Sequence, residues 1–193
     1  MTLALLYIDS FSSKPFEGFK EEMAAHNIDC EVQNRSGEMV YGALEAYIPT
    51  AIILWMSAQY FGPMFKKLGE EHYPAFKKAF GKLYNNSNDI NVDLIGSKGK
   101  ISGKYPYSMT LSIEATTDTD IRFKLVFQKN LSKQEVNQVL DIFTSFMSNF
   151  HANTLDEKAQ NELKSARMVG KQIIAVANLE TNRIEFPDPI TGY

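Results

Sequence analysis

Cysteine and histidine are scarce in this chain of 193 residues, which has one of the former and three of the latter. The single thiol, Cys30, excludes an intramolecular disulfide framework and any zinc site built from several thiolates. It is typical of a reducing compartment, so we expect a cytoplasmic protein. The histidines, His26, His72 and His151, fall on three separate predicted helices, and their spacing therefore predicts no metal site.

Motifs that bind nucleotides, metals or catalytic groups are also missing. The chain has no GxGxxG, GxxxxGK[ST], GxSxG or HExxH pattern and no acidic loop with calcium spacing. Its opening, MTLALLYIDS, lacks a basic start, and the apolar run is too short for a secretory signal. These absences favour a non-enzymatic protein, and we predict no cofactor.

Charge is ordinary in amount but uneven in position. Hydrophobic residues make up 44% and charged residues 22% of the chain, which predicts a soluble globular protein with a real core. The net charge of −3 gives no overall attraction to nucleic acid. The span from Lys66 to Lys104, however, contains eight lysines and four acidic residues. Its net charge is therefore +4, and that of the remainder is −7.

The longest uncharged stretch is AYIPTAIILWMSAQYFGPMF, residues 46–65. Its centre, residues 51–56, is a continuous apolar run of strand length, which favours a strand covered on both faces. A membrane-spanning helix is the alternative, because twenty uncharged residues match the thickness of a bilayer core. Pro49 and the pair Gly62-Pro63 shorten the run to about a dozen residues. We therefore predict a buried strand around which the other elements are arranged.

The first half of the chain alternates strands and helices. Three of each are predicted there, with strands at 3–8, 28–32 and 51–56 and helices at 14–26, 38–47 and 64–84. Pro74 predicts a kink or a break in the last helix. Because parallel neighbours need crossover connections, this order predicts a helix-covered parallel sheet in residues 1–84.

The second half changes pattern after the polar residues 85–88, which predict a loop. Period-two alternation predicts an antiparallel meander with one solvent-exposed face, formed by strands at 90–94, 107–113 and 121–127. Residues 132–135 and 154–157 have capping-box spacing, and each box predicts the start of a helix. The chain then ends in a predicted hairpin of strands at 172–177 and 184–186. We predict an α/β to α+β fold in which residues 1–84 and 90–193 share one core.

Polar residues follow the first and third predicted strands. In helix-covered parallel sheets, ligands bind beyond the carboxyl ends of the strands. The residues that this rule places together, and that we predict to bind a ligand, are Asp9, Ser10, Ser12, Ser57 and Gln59. The alternative is a crevice without a ligand, because strand-end loops are polar in most proteins.

A basic and aromatic pattern marks residues 58–84. Lysines there interleave with aromatic residues, a pattern found on surfaces that bind anionic membranes or single-stranded nucleic acid. The alternative is an amphipathic helix with a solvated basic side, which the lack of arginine in this span favours. We treat peripheral membrane attachment through residues 58–84 as an alternative hypothesis and do not expect nucleic-acid binding.

The order of residues 3–75 resembles a TIR domain. Such domains open with a strand, a serine-bearing loop and a helix, as in LLYIDSFSSKPFEGFKEEM, and continue with a second strand, as in HNIDCEV. An apolar strand and then a serine and a tyrosine before the next helix follow, as in ALEAYIPTAIILWMSAQYFGPMFKKLGEE. The resemblance implies a flavodoxin-like strand order. In TIR domains that cleave NAD it also implies a catalytic glutamate on that helix, where this chain has Gly69, with Glu70 one residue later.

Three functional hypotheses follow. The leading one is a non-enzymatic interaction or ligand-binding module whose partner is a protein or a small molecule. The second is an enzyme or sensor with a nucleotide ligand, of which NAD cleavage with Glu70 is the form that the TIR resemblance implies. The third is peripheral membrane attachment.

Overall fold

The computed structural model describes residues 3–35, 50–61, 63–87 and 107–188, and for residues 63–71 it describes the backbone alone. Within these ranges the chain forms seven strands and five helices. In chain order they are β1 (Leu3–Ile8), α1 (Lys14–Ala24), β2 (Cys30–Arg35), β3 (Ile52–Met56), α2 (Ala58–Phe61), α3 (Pro63–Ser87), β4 (Tyr107–Thr116), β5 (Arg122–Gln128), α4 (Lys133–His151), α5 (Glu157–Ser165), β6 (Gln172–Asn178) and β7 (Arg183–Glu185).

The seven described strands form one mixed sheet in the order β2-β1-β3-β4-β5-β6-β7. Parallel pairs β1–β2, β3–β4 and β5–β6 alternate with antiparallel pairs β1–β3, β4–β5 and β6–β7. The predicted α/β to α+β class is confirmed. β1, β2 and β3 come from the first half of the chain and β4 to β7 from the second, so both halves contribute strands to the same sheet.

The direction of β3 differs from the prediction. The sequence predicts a parallel β1–β3 pair, whereas β3 runs antiparallel to β1, with Leu3 opposite Met56. The crossover argument links neighbouring strands, and β1 lies between β2 and β3. Arg35 at the end of β2 donates a hydrogen bond from Nη2 to the carbonyl oxygen of Thr50 at 2.7 Å. The chain therefore leaves β2 and enters β3 at the same edge of the sheet.

Strands consequently end at two opposite sides of the sheet, and we name each of these edges after the strands that terminate there. β1 and β2 end near Ile8 and Arg35, at what we call the β1–β2 edge. β3 and β4 end near Met56 and Thr116, at the opposite edge, which we call the β3–β4 edge. Residues that follow β1 are thus far from residues that follow β3.

One face of the sheet packs against α1, α3 and α4. Alternate strand residues and helix side chains form one buried cluster, whose largest members include Phe16 of α1, Phe80 of α3, Phe127 of β5 and Phe143 of α4. The rings of Phe80 and Phe127 stack with their centroids 5.6 Å apart. Burying a phenylalanine side chain contributes roughly 1.5–3 kcal/mol, so this cluster holds the helices on the sheet.

The predicted N-terminal cap is found at α4, and a different residue caps α5. The capping box at α4 is confirmed, since Ser132 Oγ accepts a hydrogen bond from the Glu135 N–H at 3.3 Å and the Ser132 N–H donates to Glu135 Oε2 at 2.7 Å. At α5 the cap is Asp156 and not Thr154. Asp156 Oδ1 accepts a hydrogen bond from the Ala159 N–H at 2.8 Å.

The other face of the sheet carries buried polar side chains where the sequence predicts exposed ones. Ser112 and Lys124 are both buried. Ser112 Oγ is hydrogen-bonded to Thr50 Oγ1 at 2.6 Å, and Lys124 Nζ lies 3.4 Å from Glu114 Oε1 on the neighbouring strand. Polar residues that are paired with each other alternate in sequence just as solvated ones do, so the pattern alone does not separate the two cases.

α3 is longer and more regular than predicted. It continues through Pro74 without a break and includes residues 85–87, where the sequence predicts a loop. Ser87 Oγ donates a hydrogen bond to the Leu83 carbonyl at 2.6 Å, which extends the last turn. The predicted helix at 38–47 and the predicted strand at 90–94 lie outside the described residues.

Candidate functional site

The five residues predicted to bind one ligand do not come together. Asp9, Ser10 and Ser12 follow β1 and are exposed at the β1–β2 edge, whereas Ser57 and Gln59 follow β3 at the opposite edge. The two groups are separated by the length of the strands, roughly 20 Å at about 3.3 Å per residue. The reason is the antiparallel β1–β3 pair.

Glu70, the candidate suggested by the TIR resemblance, lies on α3 in the part whose backbone alone is described.

The basic side of α3 is paired with acidic residues of neighbouring helices. Lys77 Nζ lies 2.7 Å from Asp141 Oδ2 of α4, and Lys78 and Lys82 lie 3.2 Å and 2.6 Å from the carboxylate of Glu22 on α1. The apolar side of the same helix, from Phe76 onward, is buried in the core. Among residues 72–87 of α3, whose side chains are described, no apolar side remains for insertion into a membrane.

At the β3–β4 edge, the segments that leave the two strands lie side by side. The backbone N–H of Ala58 donates a hydrogen bond to Thr116 Oγ1 at 3.1 Å, and the Thr116 hydroxyl donates to the Met56 carbonyl at 3.4 Å. Ser57 lies between these contacts with 8% of its surface exposed, and its Oγ has no hydrogen-bond partner among the described residues. A buried hydroxyl without a hydrogen-bond partner is uncommon in folded proteins, so this edge is a candidate for a functional site.

The loop after β4 is ordered by its own hydrogen bonds. The Thr117 hydroxyl donates to the Ile121 carbonyl at 3.0 Å, and the Thr119 N–H donates to Thr117 Oγ1 at 3.3 Å. This turn presents the Asp118 side chain, of which 86% is exposed, next to the end of α4.

His151, the last residue of α4, meets Asp118 at this edge. Its Nδ1 lies 3.7 Å from Asp118 Oδ2, and its ring is parallel to the ring of Phe61 at 5.8 Å between centroids. Phe150 contacts it edge-on at the same distance. Only 8% of the imidazole side chain is exposed, yet Nε2 has no hydrogen-bond partner among the described residues.

A cavity of about 370 Å³ opens beside this histidine. We call it the His151 cavity, and its walls are formed by Asp118, Thr119, Phe150, His151, Asn153, Leu155, Gln160, Leu163 and Lys164. The volume lies within the range of small-molecule sites, and the lining combines apolar side chains with a few polar ones, as such sites do.

The Asp118 carboxylate lies on the Nδ1 side of the imidazole. In the neutral tautomer with its proton on Nδ1, Nε2 is a hydrogen-bond acceptor. Ser57 Oγ and His151 Nε2 both lack a partner, so they do not bond to each other and do not form a ready nucleophile–base couple. No group of three or more metal-binding side chains occurs in the described ranges. The arrangement is suited to recognition by hydrogen bonding.

Sequence reasoning found part of this edge and missed the rest. It placed Ser57 and Gln59 after an apolar strand, and their role in ligand binding stays a prediction. It treated His151 as an isolated histidine because the contact with Asp118 depends on how α4 crosses the sheet. One signal was available, since His151 is the last residue of α4, whose apolar side is buried in the core, and it is therefore anchored at the rim of that core.

The chain has no match among protein-family models, curated proteins or solved structures. None of the helices in the described ranges combines the length and the apolar content that a bilayer crossing needs.

Proposed function

We propose that this protein is a small-molecule-binding module and that its ligand occupies the His151 cavity. The observation that carries the proposal is a cavity of about 370 Å³ lined by His151, whose imidazole nitrogen Nε2 is buried and has no hydrogen-bond partner among the described residues. Leaving a buried polar atom unpaired costs about 1–3 kcal/mol. A ligand that enters the cavity as its walls move, and that then supplies the missing hydrogen bond, removes this cost.

The lining indicates the chemistry of the ligand. With Nε2 as an acceptor, the ligand offers an N–H or O–H donor. Phe150, Leu155 and Leu163 provide apolar contact for its body, while Lys164 and Asp118 provide one positive and one negative group at the rim. A small organic molecule with an apolar or aromatic body and an amide, amine or hydroxyl group fits this description.

Nuclear magnetic resonance of the histidine side chains tests the proposal directly. The chain has three histidines, so the ring nitrogens of His151 are resolved from two others in a long-range ¹H–¹⁵N spectrum. Nicotinamide, benzamide and adenosine serve as probes because each joins an aromatic body to an N–H donor. We expect at least one probe to shift the Nε2 resonance of His151 in a saturable way.

Two substitutions make the test specific. His151→Phe keeps an aromatic ring beside Phe61 and removes the acceptor, so it should abolish the probe's binding. His26→Phe changes an exposed histidine beyond the end of α1 and should leave binding unchanged. Equal binding to both variants, or no shift of His151 with any probe, would show that the cavity is not a ligand site.

NAD cleavage is a second candidate. It is supported by the strand order β2-β1-β3, which flavodoxin-like sheets share, and by the exposed polar residues Asp9 and Ser10 after β1. The antiparallel direction of β3 departs from that fold, in which the strands are parallel. Nicotinamide release from NAD, measured with the unmodified chain and with Glu70→Ala, tests it. Release that depends on Glu70 would favour this candidate over simple binding.

We further propose that the protein works in the cytoplasm. Cys30 is free and buried in the core, which suits a compartment where thiols stay reduced.

A further inference from the structure

α5 is attached to the rest of the protein by few buried contacts. None of its nine residues is buried. The apolar side chains that hold it, Leu155, Leu163 and Ala166, are only partly buried where they touch the main cluster. Segments with few buried apolar contacts open with a lower free energy than the core does.

Empty space surrounds α5 on several sides. Besides the His151 cavity, a cavity of about 440 Å³ separates Ala159 and Glu162 of α5 from α4 and the β6–β7 turn. Another of about 390 Å³ lies between Ser165 and the side chains of Val176 and Phe186. These are surface grooves, so the sides of α5 that face them make few packing contacts with the rest of the protein.

Exposed ion pairs hold both ends of the helix. Asp156, which caps α5, also pairs with Arg183 of β7, with Oδ2 2.8 Å from Nη2 and Oδ1 3.3 Å from Nη1. Beyond the other end, Arg167 Nη1 lies 3.2 Å from Asp188 Oδ2. Exposed ion pairs contribute little each, so these links position the helix without locking it.

We propose that α5 is a lid that swings away from the His151 cavity and that Asp156 is its latch. Gln160, Leu163 and Lys164 of α5 form one wall of that cavity, so their displacement opens it to solvent. Asp156 combines both fastenings, because Oδ1 caps the helix and both carboxylate oxygens accept hydrogen bonds from Arg183. The lid's purpose rests on the proposed ligand-binding function, whereas its movement is measured without a ligand.

Thiol trapping measures the movement. A Leu163→Cys substitution in a Cys30→Ala background places the only thiol on the inner side of α5, and its rate of reaction with a thiol reagent reports opening. Asp156→Asn keeps a capping side chain and weakens the ion pair, so we expect the rate to rise about 1.5- to 5-fold. Asp156→Ala also removes the cap, which should raise the rate about fivefold further. Arg183→Gln should match Asp156→Asn, and combining these two should add nothing.

A cysteine elsewhere provides the matched control. Ile8→Cys lies in β1, is similarly half-buried and is distant from α5. Its reaction rate should not change with Asp156. If both thiols respond equally, or if neither responds, α5 does not open independently and the proposal is overturned.

Hydrogen exchange gives a second measurement that needs no introduced cysteine. Amides of Gln160 to Ala166 should exchange faster than amides in the middle of α4, and Asp156→Ala should accelerate the α5 amides alone. Equal protection of α5 and α4 would overturn the lid. A mobile α5 together with no shift of His151 by any probe would overturn the ligand-binding function and leave the lid intact.

Discussion

Lys124 of β5 and Glu114 of β4 form an ion pair that is almost closed to solvent. Nζ lies 3.4 Å from Oε1, and the two side chains are 5% and 13% exposed. The residues are direct partners in the antiparallel β4–β5 register. Burial lowers the pKa of the Lys124 ammonium, and the Glu114 carboxylate acts in the opposite direction. Folding therefore removes two charges from water, and their attraction to each other offsets part of that desolvation cost.

Removing one partner of this pair should cost more stability than removing both. Glu114→Leu leaves a buried ammonium without compensation, and we expect the free energy of unfolding to fall by about 3–5 kcal/mol. The double variant Glu114→Leu, Lys124→Met replaces both charges with apolar groups and should be close to the unmodified protein or more stable. Urea unfolding of the three proteins checks this. A double variant less stable than the single one would contradict the interpretation.

The capping box at α4 makes a smaller prediction. Ser132→Ala removes the hydroxyl that accepts from the Glu135 N–H, and we expect a loss of about 1 kcal/mol in the free energy of unfolding. Ser145→Ala, an exposed position inside the same helix, is the control and should change stability by less than about 0.5 kcal/mol. Urea unfolding midpoints measure both, and equal effects would argue against a role for the cap.

Stability should decline in alkaline solution. Burial raises the pKa of the Cys30 thiol to about 12 from an ordinary 9.0, and burial also raises the pKa of Tyr60 and Tyr73. Above about pH 9 these groups stay protonated in the folded state and ionise in the unfolded state, so the unfolded state binds fewer protons and stability falls as pH rises. Burial also raises the pKa of Tyr84 and of Tyr107, and these tyrosines act in the same direction. The lowered pKa of Lys124 is a single group that works in the other direction.

Urea midpoints between pH 8 and pH 11 measure this decline. Cys30→Ala should lose the part that begins near pH 9 and keep the part due to the tyrosines. A midpoint that holds steady or rises over this interval would be inconsistent with the buried, protonated groups.

His151→Phe should separate stability from function. The substitution keeps an aromatic ring beside Phe61 and removes a buried nitrogen that has no partner among the described residues. We expect the free energy of unfolding to stay constant or to rise by up to about 1–3 kcal/mol, because the cost of the unpaired atom disappears. Thermal unfolding measures it. A clear loss of stability would mean that the imidazole makes a stabilising hydrogen bond in the folded protein.

Local sequence pattern predicted the elements well because their cause is local. Period-two alternation placed β4 and β5, and the spacing around Ser132 placed the start of α4. The predicted direction of β3 was wrong because the direction is set by a tertiary relationship, seen in the hydrogen bond from Arg35 to Thr50. β2 and β3 follow each other in the chain, but β1 lies between them in the sheet, so the crossover rule does not fix the direction of β3.

The candidate site was predictable only in part for the same reason. Ser57 was identified because it follows an apolar strand, which is visible in the sequence. The contact between Asp118 and His151 joins a loop to the end of a helix, and neither residue stands in a recognisable motif. Asp156 was overlooked because Thr154 has the better capping-box spacing.

A crystal structure after soaking with nicotinamide, benzamide and adenosine tests the central claim most directly. We predict a bound molecule in the His151 cavity, with an N–H or O–H group about 3 Å from His151 Nε2. A structure in which Nε2 is satisfied by a buried water molecule, with every probe bound elsewhere or not at all, would contradict it.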